Sequence, residues 1–514
     1  MKWILGLAVF AGVSQHLTAA ILPAEVAILY NSRVPESKAL AETYRKARDI
    51  PVGNLISLDM PSAQDISRED FERSILRPLR RQFEARSWWQ RESQGGGITL
   101  PVSNKIRILV TIRGVPLRIL SDPNAAKQTA SPQNPIAGHD EASVDSELAM
   151  FGVEDLPSDG ILQNKYYKSD KSISQANLPF LTLTARIDAP TYATCERMIQ
   201  DAIDCEKTGL WGRAYVDVAN KFPQGDEWLE QVVKSNNRVG IPTVVDRFNE
   251  TFPTNYPMTE AALYLGWYDA NLSGPFLNPS FRFRKGAVAM HLHSFSAEQL
   301  RDPARNWSGG LLEKGAAVTL GNVFEPYLHL SHDFGLLHER LLAGFTWAEA
   351  CWMAIPVTSW QGVILGDPLY TPFKHLDGGG VKDVADVEYR ALHAASVEWG
   401  KAPGEKQRQL EKASERMKSA TLAEAIGLDL AERKEFPAAA NWFNVAETYF
   451  IPKEDKLRQA IHQIALDRVQ GKSQEAISKL RTARMHHGST SGAESLKAWL
   501  DQLAPQPPAA EVPR

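Results

Sequence analysis

Ala262-Leu263-Tyr264-Leu265-Gly266 runs directly into Trp267-Tyr268-Asp269, and Gly286-Ala287-Val288-Ala289-Met290 runs into His291-Leu292-His293-Ser294. Each is a short apolar run that ends in a polar cluster. Runs of this length bounded by turn residues read as buried strands, and ligands of open α/β sheets bind outside the C-terminal ends of such strands. The stretch 261–296 therefore predicts both a fold class and the place of a site.

Toward the N-terminus, apolar runs at 26–30, 55–58 and 106–112 alternate with helical periodicity at 36–48 and 67–86, the mark of a parallel sheet with crossover helices. Residues 88–104, with Gly95-Gly96-Gly97, read as a polar surface loop, and 121–138, rich in Pro, Ala, Asn and Gln, as a longer one; long loops leaving strands often serve as lids. A second alternating unit starts near Pro190. It holds a helix to 207, a strand at 214–218, a helix at 228–238, a strand at 243–245, the two strands above, a helix from 307, a strand at 316–320, two helices and a strand at 363–365. Six strands in this order predict a doubly wound domain complete in itself. After Phe373 comes a Gly-rich linker, 375–382, and then helical text rich in Ala, Glu, Lys, Leu and Gln. Helix pairs at 422–432 with 437–448 and at 456–469 with 474–486 lie about 36 residues apart, a tetratricopeptide-like period. The expected fold class is α/β: two doubly wound, mostly parallel sheet units (21–189 and 190–374), a helical repeat-like domain (383–503) and a disordered tail (504–514).

With 57 Lys and Arg against 61 Asp and Glu in 514 residues, the chain lacks the basic footprint that nucleic acid requires. Lys2, the apolar stretch 3–13 and Thr18-Ala19-Ala20 have the order of a signal peptide, residues 1–20, cleaved near Ala20. No later run reaches the roughly 20 apolar residues of a membrane span. An exported protein, periplasmic or extracellular, with no transmembrane span after cleavage, is expected. Of the three cysteines, Cys195 and Cys205 share one helical pattern that separates them by roughly 15 Å, too far for a disulfide. Cys351 follows a Thr346/Glu349 capping box in an apolar helix and reads as a small buried residue.

If the second run continues as a strand, His291 and His293 share a face with Cβ atoms roughly 7 Å apart. Imidazoles so placed could hold a divalent metal such as zinc, with Asp269, Glu325 or Asp367 completing the set; they could equally work as acid and base, or pack as hydrogen-bonded core residues. Ser294 stands at the turn beside them, where a hydroxyl can be activated by an adjacent base, although no G-x-S-x-G elbow surrounds it. Ser296, three residues before Gln299, reads as a capping box opening a helix. Asn322 and Glu325 after one strand and Asp367 after another are expected to converge on the same crevice as ligand-binding groups. Arg113 and Arg186, at strand ends of the first unit, are candidate anchors for an acidic substrate group. No phosphate-binding or dinucleotide-binding glycine motif is present, so nucleotide binding has no support.

Thr111-Ile112-Arg113-Gly114-Val115-Pro116, Ser143-Val144-Asp145-Ser146-Glu147-Leu148, Tyr264-Leu265-Gly266-Trp267-Tyr268, His291-Leu292-His293-Ser294-Phe295-Ser296-Ala297, Gly321-Asn322-Val323-Phe324-Glu325-Pro326-Tyr327 and Gly366-Asp367-Pro368-Leu369-Tyr370 together resemble an uncharacterised family of exported bacterial proteins over nearly all of 26–373. The resemblance implies export and brings no activity. More distantly, the second unit is similar to the catalytic subdomain of gingipain-type cysteine peptidases, which implies a caspase-like fold. That family ends one strand in His-Gly and the next in Cys; here the matching ends carry Gly266-Trp267-Tyr268 and His293-Ser294-Phe295. Without a thiolate and its imidazole partner, cysteine peptidase chemistry is not expected.

Three functions fit these residues. The first is a caspase-fold relative without the cysteine dyad that binds a peptide or another ligand at the strand-end crevice, while the C-terminal helices dock a protein partner. The second is a metal-dependent or serine hydrolase built on His291, His293 and Ser294 with Asp269. The third is a structural or assembly protein of the cell envelope, whose polar strand ends would satisfy one another.

Overall fold

The structure, a computed structural model, describes residues 21–94, 97–124 and 136–505. The expected signal peptide, residues 125–135 of the 121–138 loop and residues 506–514 of the expected tail lie outside the described residues. No helix among the described residues is long and apolar enough to cross a membrane. The fold is mixed α/β with parallel sheets and a helical C-terminal region.

In chain order the elements that position the site are β1 (Val26–Asn31), α1 (Pro35–Ala47), β2 (Leu55–Leu58), β3 (Ile108–Ile112), β4 (Leu183–Ile187), α2 (Tyr192–Thr208), β5 (Arg213–Asp217), α3 (Pro223–Val239), β6 (Thr243–Asp246), β7 (Ala261–Gly266), β8 (Val288–His291), α4 (Ser308–Glu313), β9 (Thr319–Asn322), α5 (Phe334–Leu342), α6 (Trp347–Ala354) and β10 (Gly362–Leu365). Strands β1, β3, β4, β5, β7, β8 and β9 are buried along their whole length, as expected when helices cover both faces of a parallel sheet. The helices carry readable stops: α3 opens on Pro223 and closes on Gly240 in the left-handed region at φ +76°, the usual asymmetry of helix ends. The Thr346/Glu349 capping box of α6 is formed.

The six strands expected to make one sheet over 190–374 are divided. β6–β5–β7–β8 form a four-stranded parallel sheet, whereas β9 and β10 join the first unit in the order β9–β10–β4–β3–β1–β2. β10 lies parallel to β4 and antiparallel to β9. A parallel bridge between Val288 and Val318, with Ala317 N donating to Ala287 O (2.9 Å) and Ala289 N to Val318 O (3.2 Å), sets the two sheets side by side. Strand direction thus reverses once, between β9 and β10, and the C-terminal ends of the two sheets face opposite edges. Gly366 permits the join. At φ +114°, it would bring a Cβ within 2.5 Å of Val318 Cγ1 and 2.8 Å of Ala317 O.

Residues 88–104 are not a plain loop: Trp89–Ser93 and Thr99–Asn104 pair as an antiparallel hairpin. Trp89 is buried against Phe83 and Phe151, with ring centroids 4.8 and 5.0 Å away. That aromatic anchor outweighs the polar composition of the rest. Residues 295–301 are turns rather than a helix, because Ser296 is buried and its Oγ accepts from Asn322 N (3.0 Å) instead of capping.

The C-terminal helices are α7 (Val387–Trp399), α8 (Pro403–Met417), α9 (Ala420–Glu432), α10 (Phe436–Tyr449), α11 (Lys453–Val469), α12 (Ser473–His487) and α13 (Ala493–Leu503). Each packs on the next. Leu457, Ile461, Ile464, Leu480, Leu496 and Trp499 belong to the same apolar core as β5 and β7, so this region is fused to the α/β part by burial. The Gly-rich stretch expected to be a flexible linker is tied down at both ends: His375 Nε2 donates to Glu206 O (2.8 Å) and Val381 N to Lys207 O (2.7 Å).

Candidate functional site at the strand ends of the second sheet

The C-terminal edge of the four-stranded sheet begins with two acids. β5 ends in Asp217 and β6 in Asp246, paired in register and both buried. Asp217 Oδ2 accepts from Phe252 N and Asp246 Oδ1 from Phe248 N, each at 2.9 Å. Asp217 Oδ1 and Asp246 Oδ2 have no partner among the described residues. Burial, with the Asp246 carboxyl next in weight, holds Asp217 well above the usual carboxylate range, and burial pushes Asp246 up to about 7. Two neighbouring carboxyls away from water cannot both ionise without a large penalty.

At the next strand end His291 is a packing residue. Its ring stacks on Trp307 at 3.4 Å between centroids and 7° between planes. Nε2 accepts from Asp269 N (3.2 Å), which places the proton on Nδ1, facing Tyr264 Oη at 3.1 Å. Burial drives its pKa well down, so the imidazole is neutral and both nitrogens are occupied. The strand stops at His291, so the alternation that was expected to bring His293 onto the same face does not extend that far. His293 instead turns toward Tyr268, 5.1 Å between centroids, and its Nδ1 donates to Ser294 O (2.5 Å). Among the described residues no hydrogen bond joins Ser294 Oγ to either imidazole. Asp269 Oδ2 accepts from the hydroxyls of Thr251 and Ser273. Among the described residues no group of three or more His, Cys, Asp or Glu side chains is placed to hold a metal ion. The paired nucleophile and base that a serine mechanism needs is not assembled here either.

Among the groups this edge presents to solvent, beside Lys221, Arg247 and Glu325, are three aromatic rings. Phe222 is 49 % exposed, Tyr268 39 % and Phe295 37 %. Phe222 lies 5.8 Å from both Tyr268 and Trp267. Trp267 anchors the group from below: it is buried, its Nε1 donates to Asp226 Oδ1 (3.0 Å), and it lies so close to Gly225 that a Cβ there would stand 2.4 Å from the ring. Phe295 adopts φ +58°, a conformation that costs a non-glycine residue about 1–3 kcal/mol, and its N–H donates to Phe324 O (2.9 Å). Phe222 was not singled out from the sequence, because it precedes its helix by one residue and carries no motif. Exposed rings held in place by buried ones offer contact area at low cost in side-chain freedom.

The expected convergence of carboxylates is only partial. Asn322 is buried at the end of β9, and Glu325 is exposed nearby, its Oε1 accepting from Tyr327 N (3.2 Å). Asp367 lies at the opposite edge, because β10 runs antiparallel to β9. There it accepts from Tyr44 Oη (2.8 Å) and Arg48 Nε (2.6 Å). Arg186 does not reach a ligand. Completely buried, it donates to Asp145, to Asp188 and to the carbonyls of Val115 and Pro116. Arg113 donates to Asp188 and to Ala189 O and lies over the Tyr192 ring at 4.8 Å. Arg301, from the segment after β8, adds a third cation to Asp188 at 3.3 Å. Of the three, Arg301 ties the segment after β8 to the first unit.

One buried charge network escaped sequence reading altogether. Arg213 of β5 and Arg458 of α11 both donate to Glu424 of α9 (2.8 and 2.6 Å), joined by Gln459 (2.8 Å) and His462 (3.1 Å), while Asp455 accepts from Arg458 (2.6 Å). Asp455, Arg458, Gln459 and His462 recur at helical spacing and so read as the solvent face of α11; that face is buried against β5. Clefts at this seam are lined by Gly240, Ile241 and Pro242 with Leu392, Leu410 and Ile426. They lie away from the aromatic rim.

Comparisons of the chain with protein families, with curated proteins and with solved structures gave no match.

Proposed function

We propose that this protein is an exported, caspase-fold relative without the cysteine dyad, which binds a peptide or a similar ligand across the strand ends of the second sheet. The partly exposed cluster of Phe222, Tyr268 and His293, with Phe295 exposed after the same strand end, carries this reading. The order β6–β5–β7–β8 supports the likeness to the caspase fold, and the successive packing of α7 to α13 supports a tetratricopeptide-like helical region. Because α9 and α11 are committed to β5, a protein partner of that region would use its outward side. Binding is favoured over the hydrolase alternative because both His291 nitrogens are engaged and, among the described residues, Ser294 Oγ has no hydrogen bond to an imidazole. The envelope-structural alternative expects satisfied strand ends, whereas Asp217, Asp246 and Asn322 each retain an oxygen without a partner among the described residues.

The test is an array of extended decapeptides probed with the purified chain and with a Phe222→Ala/Tyr268→Ala variant. The expected result is a defined set of bound peptides, with affinity at least tenfold weaker in the variant and an unchanged melting temperature. Equal binding by the two proteins, or no peptide bound by either, removes the proposal.

A further inference from the structure

Beyond the aromatic rim, the same edge of the molecule holds a concentration of buried polar groups with no partner among the described residues. In the antiparallel pair β9/β10, Asn322 stands opposite Gly362, and directly opposed residues project to the same face. On that face a Cβ at Gly362 would lie 3.1 Å from His332 Cε1 and 3.8 Å from its Nδ1. The Asn322 side chain and the His332 ring are therefore neighbours above a glycine, over which Ile355 Cδ1 closes as tightly as the ring, 3.0 Å from the same Cβ position. Asn322, His332 and the adjacent Gln361 are all buried. Asn322 Oδ1, both nitrogens of His332 and both amide atoms of Gln361 have no partner among the described residues, and neither has Thr358 Oγ1. Folded chains leave few such groups, and each calls for a reason.

None of these side chains carries a charge. Burial pushes the His332 imidazole down to about 3, so it offers one N–H donor and one lone pair. Asn322 Oδ1 accepts, and the Gln361 amide does both. That inventory matches an amide group, with its N–H and its C=O, and opposes a carboxylate or an ammonium, which would enter a dry site without a counter-ion. The segments that enclose the group carry Tyr327 at φ +61° and Ser359 at φ +55°, backbone conformations that cluster at ligand clamps.

We infer that Asn322, His332 and Gln361 form the polar floor of the binding crevice and receive an uncharged amide, from a peptide backbone or from an Asn or Gln side chain. This rests on the ligand-binding function proposed above and names the chemistry it selects. The contact is reversible hydrogen bonding, with no covalent step.

The probes are acetamide, acetate and methylammonium, titrated into the full chain labelled with ¹⁵N in its histidine rings, with the His332 signals assigned from His332→Phe. Acetamide is expected to shift the His332 ring nitrogens saturably, with a midpoint in the millimolar range, while acetate and methylammonium leave them in place. Asn322→Leu is expected to raise the midpoint at least tenfold; should that variant fail to fold by circular dichroism, Gln361→Met takes its place. His332 signals that ignore acetamide, as they would if only water filled the floor, overturn the inference. So does an equal response to acetate, or an unchanged midpoint in the folded variant. A protein that binds peptides through Phe222 and Tyr268 yet ignores acetamide refutes the floor alone.

Discussion

The C-terminal edges of the two sheets are built from similar residues and end in opposite states. At the edge of β4, β3 and β10, every charge has its counterpart: Arg186 with Asp145 and Asp188, Arg113 and Arg301 with Asp188, and Asp367 with Arg48 and Tyr44. At the edge of β5, β6 and β9, Asp217 faces Asp246 with no ion pair between them, and Asn322, Gln361 and His332 keep unpartnered atoms. A buried polar atom left unpaired costs about 1–3 kcal/mol. Among the described residues the first edge keeps one such atom, Arg301 Nε, and the second several. The first edge is a clamp, and the second is the one for which ligand binding is proposed.

Breaking the clamp gives the largest expected effect. Arg186→Met leaves Asp145 and Asp188 buried with less to neutralise them, and a loss of about 3–5 kcal/mol is expected from urea denaturation; a loss under about 1 kcal/mol would show that the pairs are worth little. Next comes the support beneath the rim. Gly225→Ala drives a Cβ into the Trp267 ring, and overpacking of this kind costs about 1–3 kcal/mol. Loss of peptide binding should accompany it, and retention of both stability and binding would mean that Trp267 does not position the rim.

The unsatisfied acids give a pH signature of opposite sign to that of a paired acid. The folded pKa of Asp246 is raised to about 7 from an unfolded value near 4, so the folded state holds the extra proton. The stability it contributes is complete below about pH 4 and is lost as pH rises toward about 7. Asp246→Asn should therefore gain on the parent between pH 4 and pH 8, by about 1–3 kcal/mol. A difference that stays constant over that range would place the carboxyl in a solvated or paired setting. Smallest of all, Phe222→Ala/Tyr268→Ala should move stability by no more than about 0.5 kcal/mol per residue, as exposed substitutions do, while weakening peptide binding at least tenfold. A large drop in melting temperature would reassign those rings to the core.

Much of the architecture was legible because burial on both faces writes strands as continuous apolar runs. β1, β2, β5 to β8 and β10 fall within about two residues of where the sequence puts them. The sequence does not show which sheet a strand joins. Nothing local in Val363-Ile364-Leu365 says that it pairs with Arg186 rather than with β8, since pairing is decided by the path of the intervening chain. The polar strand ends were legible in position, and the contacts of their side chains were not. His291 and His293 looked paired because strand alternation was extended two residues too far, and a histidine stacked on tryptophan has the same letters as a histidine awaiting a metal. His332 and Gln361 gave no signal, for their significance lies in the partners they lack. The polar stripe of α11 was hidden by its own periodicity, which water and a buried Glu424 satisfy equally well.

The single reversal between β9 and β10 also sets a timetable. While the chain is being made, β4 has one open edge, since its outer neighbour is Gly362–Leu365, far downstream. At about 5–20 residues per second, synthesis of the intervening segment takes roughly 10–35 s. Through that interval an apolar strand with free backbone groups is exposed to any passing strand. The first sheet cannot be a finished product before the second has been built, and a chain truncated between the two should emerge as an aggregate rather than as a smaller protein.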